Sequence, residues 1–206
     1  MNSEFKIQSY CHIKSGEFFY NDKLLFKSDA ESFSGIMKAA YTNFEIEYPK
    51  FFKMDKLSKL AFLGAEILLT KVNPSQPKIS DTAVILSNTA SSLSTDRVFQ
   101  ESISDSENYY PSPSVFVYTL PNICIGEICI KHQLHSENSF YIFDHFNPNQ
   151  LWVHSQNLLK TNKAKRVLCG WVDVDGDNYE AFLYLVSEHG TLTHSTKTIK
   201  RLYSPQ

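Results

Sequence analysis

Long apolar runs are missing from this sequence. No stretch of its 206 residues approaches the ~18 apolar residues that a membrane-spanning helix needs. The N-terminal MNSEFKIQSY has neither the basic start nor the apolar run of a secretory signal. A basic excess is missing too. The formal net charge is −2, with 20 Lys and Arg against 22 Asp and Glu, whereas nucleic-acid-binding domains normally carry a basic stripe. Two basic clusters, at 163–166 and 197–201, read as solvated faces rather than phosphate-binding patches. Cysteine is sparse. Cys11, Cys124, Cys129 and Cys169 form no CxxC pair and no zinc spacing. All four sit among apolar residues, so they read as reduced core thiols, in keeping with a cytoplasmic protein. No metal and no cofactor is expected. A Gly-x-Ser-x-Gly nucleophile elbow is absent. The stretch 173–177 has the spaced aspartates of a calcium loop, but Gly176 falls fourth instead of sixth and Tyr184 stands where that loop needs Glu.

What is present is a globular core. The chain is 42% hydrophobic and 14% aromatic, and a chain of ~150 residues already buries roughly 70% of its surface. One domain is expected over 1–190, followed by a polar tail over 191–206. Five strands are expected, at 5–14, 82–87, 139–143, 165–174 and 179–186. The run 82–87 is continuously apolar between polar turns, which marks a strand covered on both faces. Helices are expected at 53–71, 95–103, 115–132 and 148–160. The first carries Leu57, Leu60, Ala61, Phe62, Ala65, Ile67, Leu68 and Leu69 at helical period and stops at a turn over 74–78. The second has Ser94 or Thr95 as its N-cap. The third is apolar almost all round, as a buried or interfacial helix is, and Pro121 lies near the start of its regular part. The fourth opens on Asn147-Pro148, a favourable cap and first-turn pair. Residues 17–50 read as an ordered aromatic-rich loop with a short helix near 33–41. The tail is expected to fray. Strands and helices alternating in this way point to an α/β layered domain.

Four stretches carry a family resemblance. They are Lys53-Met54-Asp55 with the helix that follows; Asn122 with Ile128–His132 and Glu137-Asn138; Lys163 to Asp173; and Asp175 to Val186. In order and spacing they resemble the N-terminal half of a β-ketoacyl-acyl-carrier-protein synthase, a condensing enzyme of the thiolase fold. The resemblance covers most of residues 53–187. It implies a thiolase-like half-fold, with a five-stranded mixed sheet and flanking helices, and a family activity of 3-oxoacyl-ACP synthase (acyltransferase) type. In that family a cysteine nucleophile follows the third strand and opens the next helix, where backbone N–H groups and the helix dipole favour a thiolate. An ungapped count back from Lys163 places this position at His145, and neighbouring alignments place it at Asp144 or Phe146. None is a nucleophile of the required kind. The family's glycine-rich surroundings are replaced by Phe146-Asn147-Pro148-Asn149, and Trp171 stands at the second glycine of a Gly-Gly pair.

His145 is therefore the candidate site residue, either as a general base or carboxylate binder or as a plain replacement of the cysteine. Asp144 can pair with it only if the strand ends in a turn there, because adjacent strand residues point to opposite faces. Glu188-His189-Gly190-Thr191 is similar to a family histidine motif, but it directly follows the last expected strand and reads as chance. The resemblance implies a non-catalytic ketosynthase-like subunit, comparable to a chain-length factor, in fatty-acid, polyketide or aryl-polyene-type synthesis. A residual acyltransferase or malonyl decarboxylase using His145, and a scaffold without acyl chemistry, stay open. The partners it implies are a second copy of the chain or a full-length ketosynthase, meeting at 139–143 and 122–132, and an acyl carrier protein. A half-fold should leave an apolar helical face bare unless some of its 28 aromatic residues cap it.

Overall fold

The computed structural model describes residues 4–71, 79–107 and 109–204. The turn expected at 74–78 lies outside them. Among the described residues eight strands form one mixed sheet: β1 (Lys6–Lys14), β2 (Glu17–Tyr20), β3 (Lys23–Lys27), β4 (Thr82–Asn88), β5 (Asn138–Ile142), β6 (Arg166–Asp175), β7 (Asn178–Ser187) and β8 (Leu192–Thr193). Their order is β3-β2-β1-β7-β6-β4-β5, with β8 beside β1. β4 runs parallel to β5 and β6, and the other pairs are antiparallel. The mixed α/β layering matches expectation, and the five expected strands all form. The count of five does not hold. β2 and β3 come from the stretch read as a loop, and β8 comes from the tail.

The first hairpins form where local residues tolerate a left-handed backbone. Asn21 (φ 47°) and Asp22 (φ 64°) link β2 to β3, as do Ser15 (φ 50°) and Gly16 (φ 77°) between β1 and β2. Two successive positive φ angles suit the right-handed twist of a hairpin. At the sheet's centre every residue of β4 is buried, as its unbroken apolar run requires of a strand covered on both sides.

One face of the sheet carries α1 (Phe33–Asn43), α2 (Lys56–Thr70) and α5 (Ile123–His132). α2 starts three residues later than expected. Residues 49–53 form a 3-10 turn, and Asp55 Oδ1 accepts the Ser58 N–H at 2.9 Å as N-cap. Twelve of the fifteen α2 residues are buried. Two glycines let this helix lie close to the sheet. Built Cβ atoms on Gly64 and Gly170 would meet Leu183 at 2.6 Å and 2.9 Å, so the Leu183 side chain fills the space between helix and strand. On its outer side α2 is closed by aromatics. Tyr48 stacks on Phe62 at 5.4 Å, Phe51 meets Phe62 at 5.7 Å, and Tyr41 stacks on Phe51 at 5.0 Å. The bare helical face expected of a half-fold is thus capped at α2.

The helix expected at 115–132 divides into α4 (Pro113–Val117) and α5, with Pro121 in the break. α3 (Leu93–Glu101) has Ser92 at its N-cap position rather than Ser94 or Thr95, and the Ser92 hydroxyl makes no cap bond but donates to the Thr119 carbonyl at 2.6 Å. The opposite face of the sheet carries α6 (Pro148–Lys160), with the bounds expected, and α7 (Thr196–Tyr203). α7 corrects the expectation of a frayed tail. Ser195 caps it by accepting the Thr198 N–H at 3.2 Å, and Ile199 and Leu202 are buried in the second core. Cys11, Cys124 and Cys169 are buried and all four cysteines are free. Among the described residues no helix is long and apolar enough to cross a membrane.

Candidate functional site

The expected strand-to-helix turn forms at the carboxyl edge of the parallel strands, the edge at which open α/β sheets bind ligands. β5 ends at Ile142, and Phe143 is tied to β4 by its N–H, which donates to the Asn88 carbonyl at 2.9 Å. Asp144 and His145 then form an exposed bend. Although the strand does end in a turn, no Asp144–His145 bond forms. Among the described residues His145 makes no hydrogen bond and no ion pair, so nothing orients its ring.

The helix start beyond it is already occupied. Asn147 Oδ1 accepts the Gln150 N–H at 3.2 Å, and Pro148 has no N–H to offer. The donors that make a helix N-terminus an anion site are therefore partly absent and partly satisfied. The cap has a testable strength. Asn147→Ala should lower stability by about 1 kcal/mol, a fall of roughly 2–4 °C in melting temperature, measured by thermal unfolding. No fall would show that the cap contributes nothing.

Phe146 turns inward. It contacts Trp171 (6.0 Å between ring centres), Phe182 (5.8 Å) and Tyr203 (4.3 Å). Trp171 thus has a packing partner in Phe146, and the two bulky side chains fill the same space. Beside them lies a polar cluster from three distant parts of the chain. Glu180 accepts from Tyr203 Oη at 2.8 Å, pairs with His12 Nε2 at 2.9 Å and lies 3.4 Å from Lys14 Nζ. Burial pushes the Glu180 carboxyl upward, but the hydrogen bonds from His12 and Tyr203 and the charges of His12 and Lys14 outweigh it and hold it at about 2. A carboxylate so low and so fully engaged is a fixed anion, not a proton acceptor near neutral pH. A cleft of about 540 Å³ opens next to it, bordered by Lys14, Glu31, Trp171, Asp173 and Tyr179.

Asp173 accepts the Thr89 and Ala90 N–H groups, each at 3.0 Å, so in the calcium-like stretch it serves to fix the loop after β4. Among the described residues no group of His, Cys, Asp and Glu could hold a metal ion. His189 lies in a turn closed by Ser187, whose Oγ accepts its N–H at 3.0 Å and donates to its carbonyl at 2.9 Å. Sequence reasoning missed the Glu180 cluster. Positions 12, 180 and 203 share no motif, and only the neighbouring positions of β1 and β7 bring the first two together.

No protein-family model matches the chain, and no curated protein matches it. Solved structures do. The chain is similar to the ishigamide ketosynthase/chain length factor at TM-score 0.68 and 16% identity, over 89% of this chain and 62% of that one. It is similar to a structure of the ketosynthase ApeO in complex with its chain length factor ApeC from Xenorhabdus doucetiae (TM-score 0.59, 14% identity), over 97% of this chain and 90% of that one. A third is a type II PKS acyl-carrier protein in complex with its ketosynthase bound to the hexaketide, AntDE:AntF (TM-score 0.60, 9% identity, 92% and 64% covered). The chain thus spans less than two thirds of the first and third and nearly all of the second. At these identities the likeness is one of architecture: the chain has the mixed α/β fold of ketosynthase and chain length factor structures.

Proposed function

We propose that this chain is a non-catalytic, chain-length-factor-like subunit that acts by pairing with a condensing enzyme or acyl carrier protein in a fatty-acid, polyketide or aryl-polyene-type system. The observation that carries the reading is the open edge of β5. Among the described residues it pairs with β4 alone, and an open strand edge is a template for another chain. Exposed apolar side chains lie on β5 and on α5, the helix that precedes it in the chain: Ile142 is 56% exposed and Ile130 is 62% exposed. Exposed apolar surface is a feature of interfaces. The matched structures named for a ketosynthase with its chain length factor support the reading. The unpartnered His145 and the capped start of α6 speak against residual acyl transfer or decarboxylation at that turn.

Light scattering after size exclusion tests it, on the chain alone and co-expressed with a full-length ketosynthase. A dimer or a one-to-one complex at micromolar concentration is the expected result. Ile142→Arg should abolish it while leaving the melting temperature within a few degrees. A wild-type chain that stays monomeric in both settings would overturn the proposal. Turnover of acyl carrier protein substrates by the chain alone should be absent, and a rate lost in His145→Ala would revive the enzymatic reading.

A further inference from the structure

A second cleft, of about 400 Å³, lies between the start of α2, α3, α4 and the β6–β7 hairpin. That volume is within the ~300–1,000 Å³ of small-molecule sites. Lys53, Lys56, Lys59 and Arg97 border it together with the carboxylate of Asp55, and Asp177 and Asp175 pair with Lys56 and Arg97. Asp55 is committed elsewhere: Oδ1 accepts the Ser58 N–H at 2.9 Å and Oδ2 the Thr95 hydroxyl at 2.8 Å. Lys56 and Arg97 are tied to the hairpin, Lys56 Nζ donating to the Gly176 carbonyl at 2.8 Å and Arg97 pairing with Asp175 at 2.5 Å. Lys53 and Lys59 have no ion-pair partner among the described residues. Lys59 is also partly enclosed, and burial holds its ammonium below the usual lysine range, with Asp55 offsetting this in part.

The floor and one wall are apolar. Met54 and Tyr118 are buried beneath it and Val115 lines it. Val98 lines it too and is exposed, as are Phe116 and Val117 beside Val115 on α4. Two lysines outside any described ion pair, set beside exposed apolar surface, match a ligand that is anionic at one end and apolar along the rest.

We infer that this cleft binds an amphiphilic anion, an acyl chain with a phosphate or carboxylate head, with the head at Lys53 and Lys59 and the chain along Val98 and Val115. The site is separate from the β5 edge, so failure of either proposal leaves the other standing. Calorimetric titration of the whole chain with dodecyl phosphate and with dodecanoate, both below micelle-forming concentrations, tests it. Inorganic phosphate and dodecyltrimethylammonium serve as the other arms.

Dodecyl phosphate or dodecanoate should bind, and inorganic phosphate at least about tenfold more weakly. Lys59→Glu and Val98→Asp should each weaken binding by about tenfold or more, the size expected for loss of a charge-assisted contact or of a buried apolar one. Lys53→Glu, at an exposed position, gives the same reading if Lys59→Glu fails to fold. The two amphiphilic anions separate a phosphate-headed ligand from a carboxylate-headed one. The inference is overturned if neither anion binds, if the cationic amphiphile binds as tightly, if inorganic phosphate alone accounts for the affinity, or if folded variants bind like the wild type.

Discussion

Gly170→Val should lower the melting temperature by about 6–12 °C or prevent folding outright. Gly170 sits in β6 opposite Leu183. A Cβ there would stand 2.5 Å from the Phe182 carbonyl oxygen and 2.9 Å from Leu183 Cγ. The first obstacle is backbone in a central strand, so no rotamer change relieves it. Valine is a good strand former, so any loss reports crowding and not propensity. Overpacking of a dense core costs about 1–3 kcal/mol and sometimes more, and a backbone clash belongs at the upper end. At roughly 2–4 °C per kcal/mol for a chain of this size, 3 kcal/mol gives the range stated. Gly126 is the control. It lies inside α5 with nothing within 4 Å of a built Cβ, so Gly126→Ala should stabilise by about 0.5–1 kcal/mol. If thermal unfolding shows the two substitutions to be equally harmless, the close approach of α2, Leu183 and β6 does not hold the fold together.

Glu180→Gln should lower stability by about 2 kcal/mol at pH 7, and the deficit should vanish in acid. The Glu180 carboxyl is held at about 2, against an ordinary value of 4.5. Between those two values the unfolded chain binds a proton that the folded chain does not. The contribution is therefore complete above about pH 4.5 and is lost as the pH falls through about 2. Glutamine keeps the shape and removes the charge that faces His12 and Lys14. Glu180 is 19% exposed, so solvent screening trims the effect only modestly. Denaturant unfolding of both proteins from pH 7 to pH 2 measures the gap, and thermal unfolding at neutral pH should show it as about 4–8 °C in melting temperature. A gap of constant size across that range would mean that ionisation of Glu180 contributes nothing.

The parts of the fold with one dominant local signal were legible in the sequence. The run Thr82-Ala83-Val84-Ile85-Leu86-Ser87 gave β4, and Asn147-Pro148 gave the start of α6 to the residue. β2 and β3 escaped because Phe18, Phe19 and Tyr20 mix with polar residues without clean alternation. Asn21-Asp22 was a turn signal that could have exposed the hairpin. α7 escaped because Lys197, Lys200 and Arg201 outweighed a single buried pair, Ile199 and Leu202, and because the sheet surface that receives them is remote in sequence. At the candidate site the strand-to-helix turn over 144–148 was legible in the sequence. The use of Phe146 as a packing residue was not, since its partners Trp171, Phe182 and Tyr203 meet only once β6, β7 and α7 are in place. The cationic cleft was hidden for a similar reason. Lys59 and Val98 are ordinary residues until α2 and α3 are set side by side.

The pairing of β1 with β7 also bears on how the chain is made. Lys6 lies opposite Ser187 and Lys14 opposite Glu180, so the first strand must wait for one near the other end. At ~5–20 residues per second of synthesis, the β1–β3 hairpins stand with one edge open for roughly 10–35 s. Non-local pairing of this kind also slows folding after release. A nascent chain lacking β7 leaves the facing edges of β1 and β6 open, each rich in buried-type side chains. Newly made chains should therefore depend on chaperones during that interval, and a stall before residue 178 should leave aggregation-prone fragments rather than a partly folded domain.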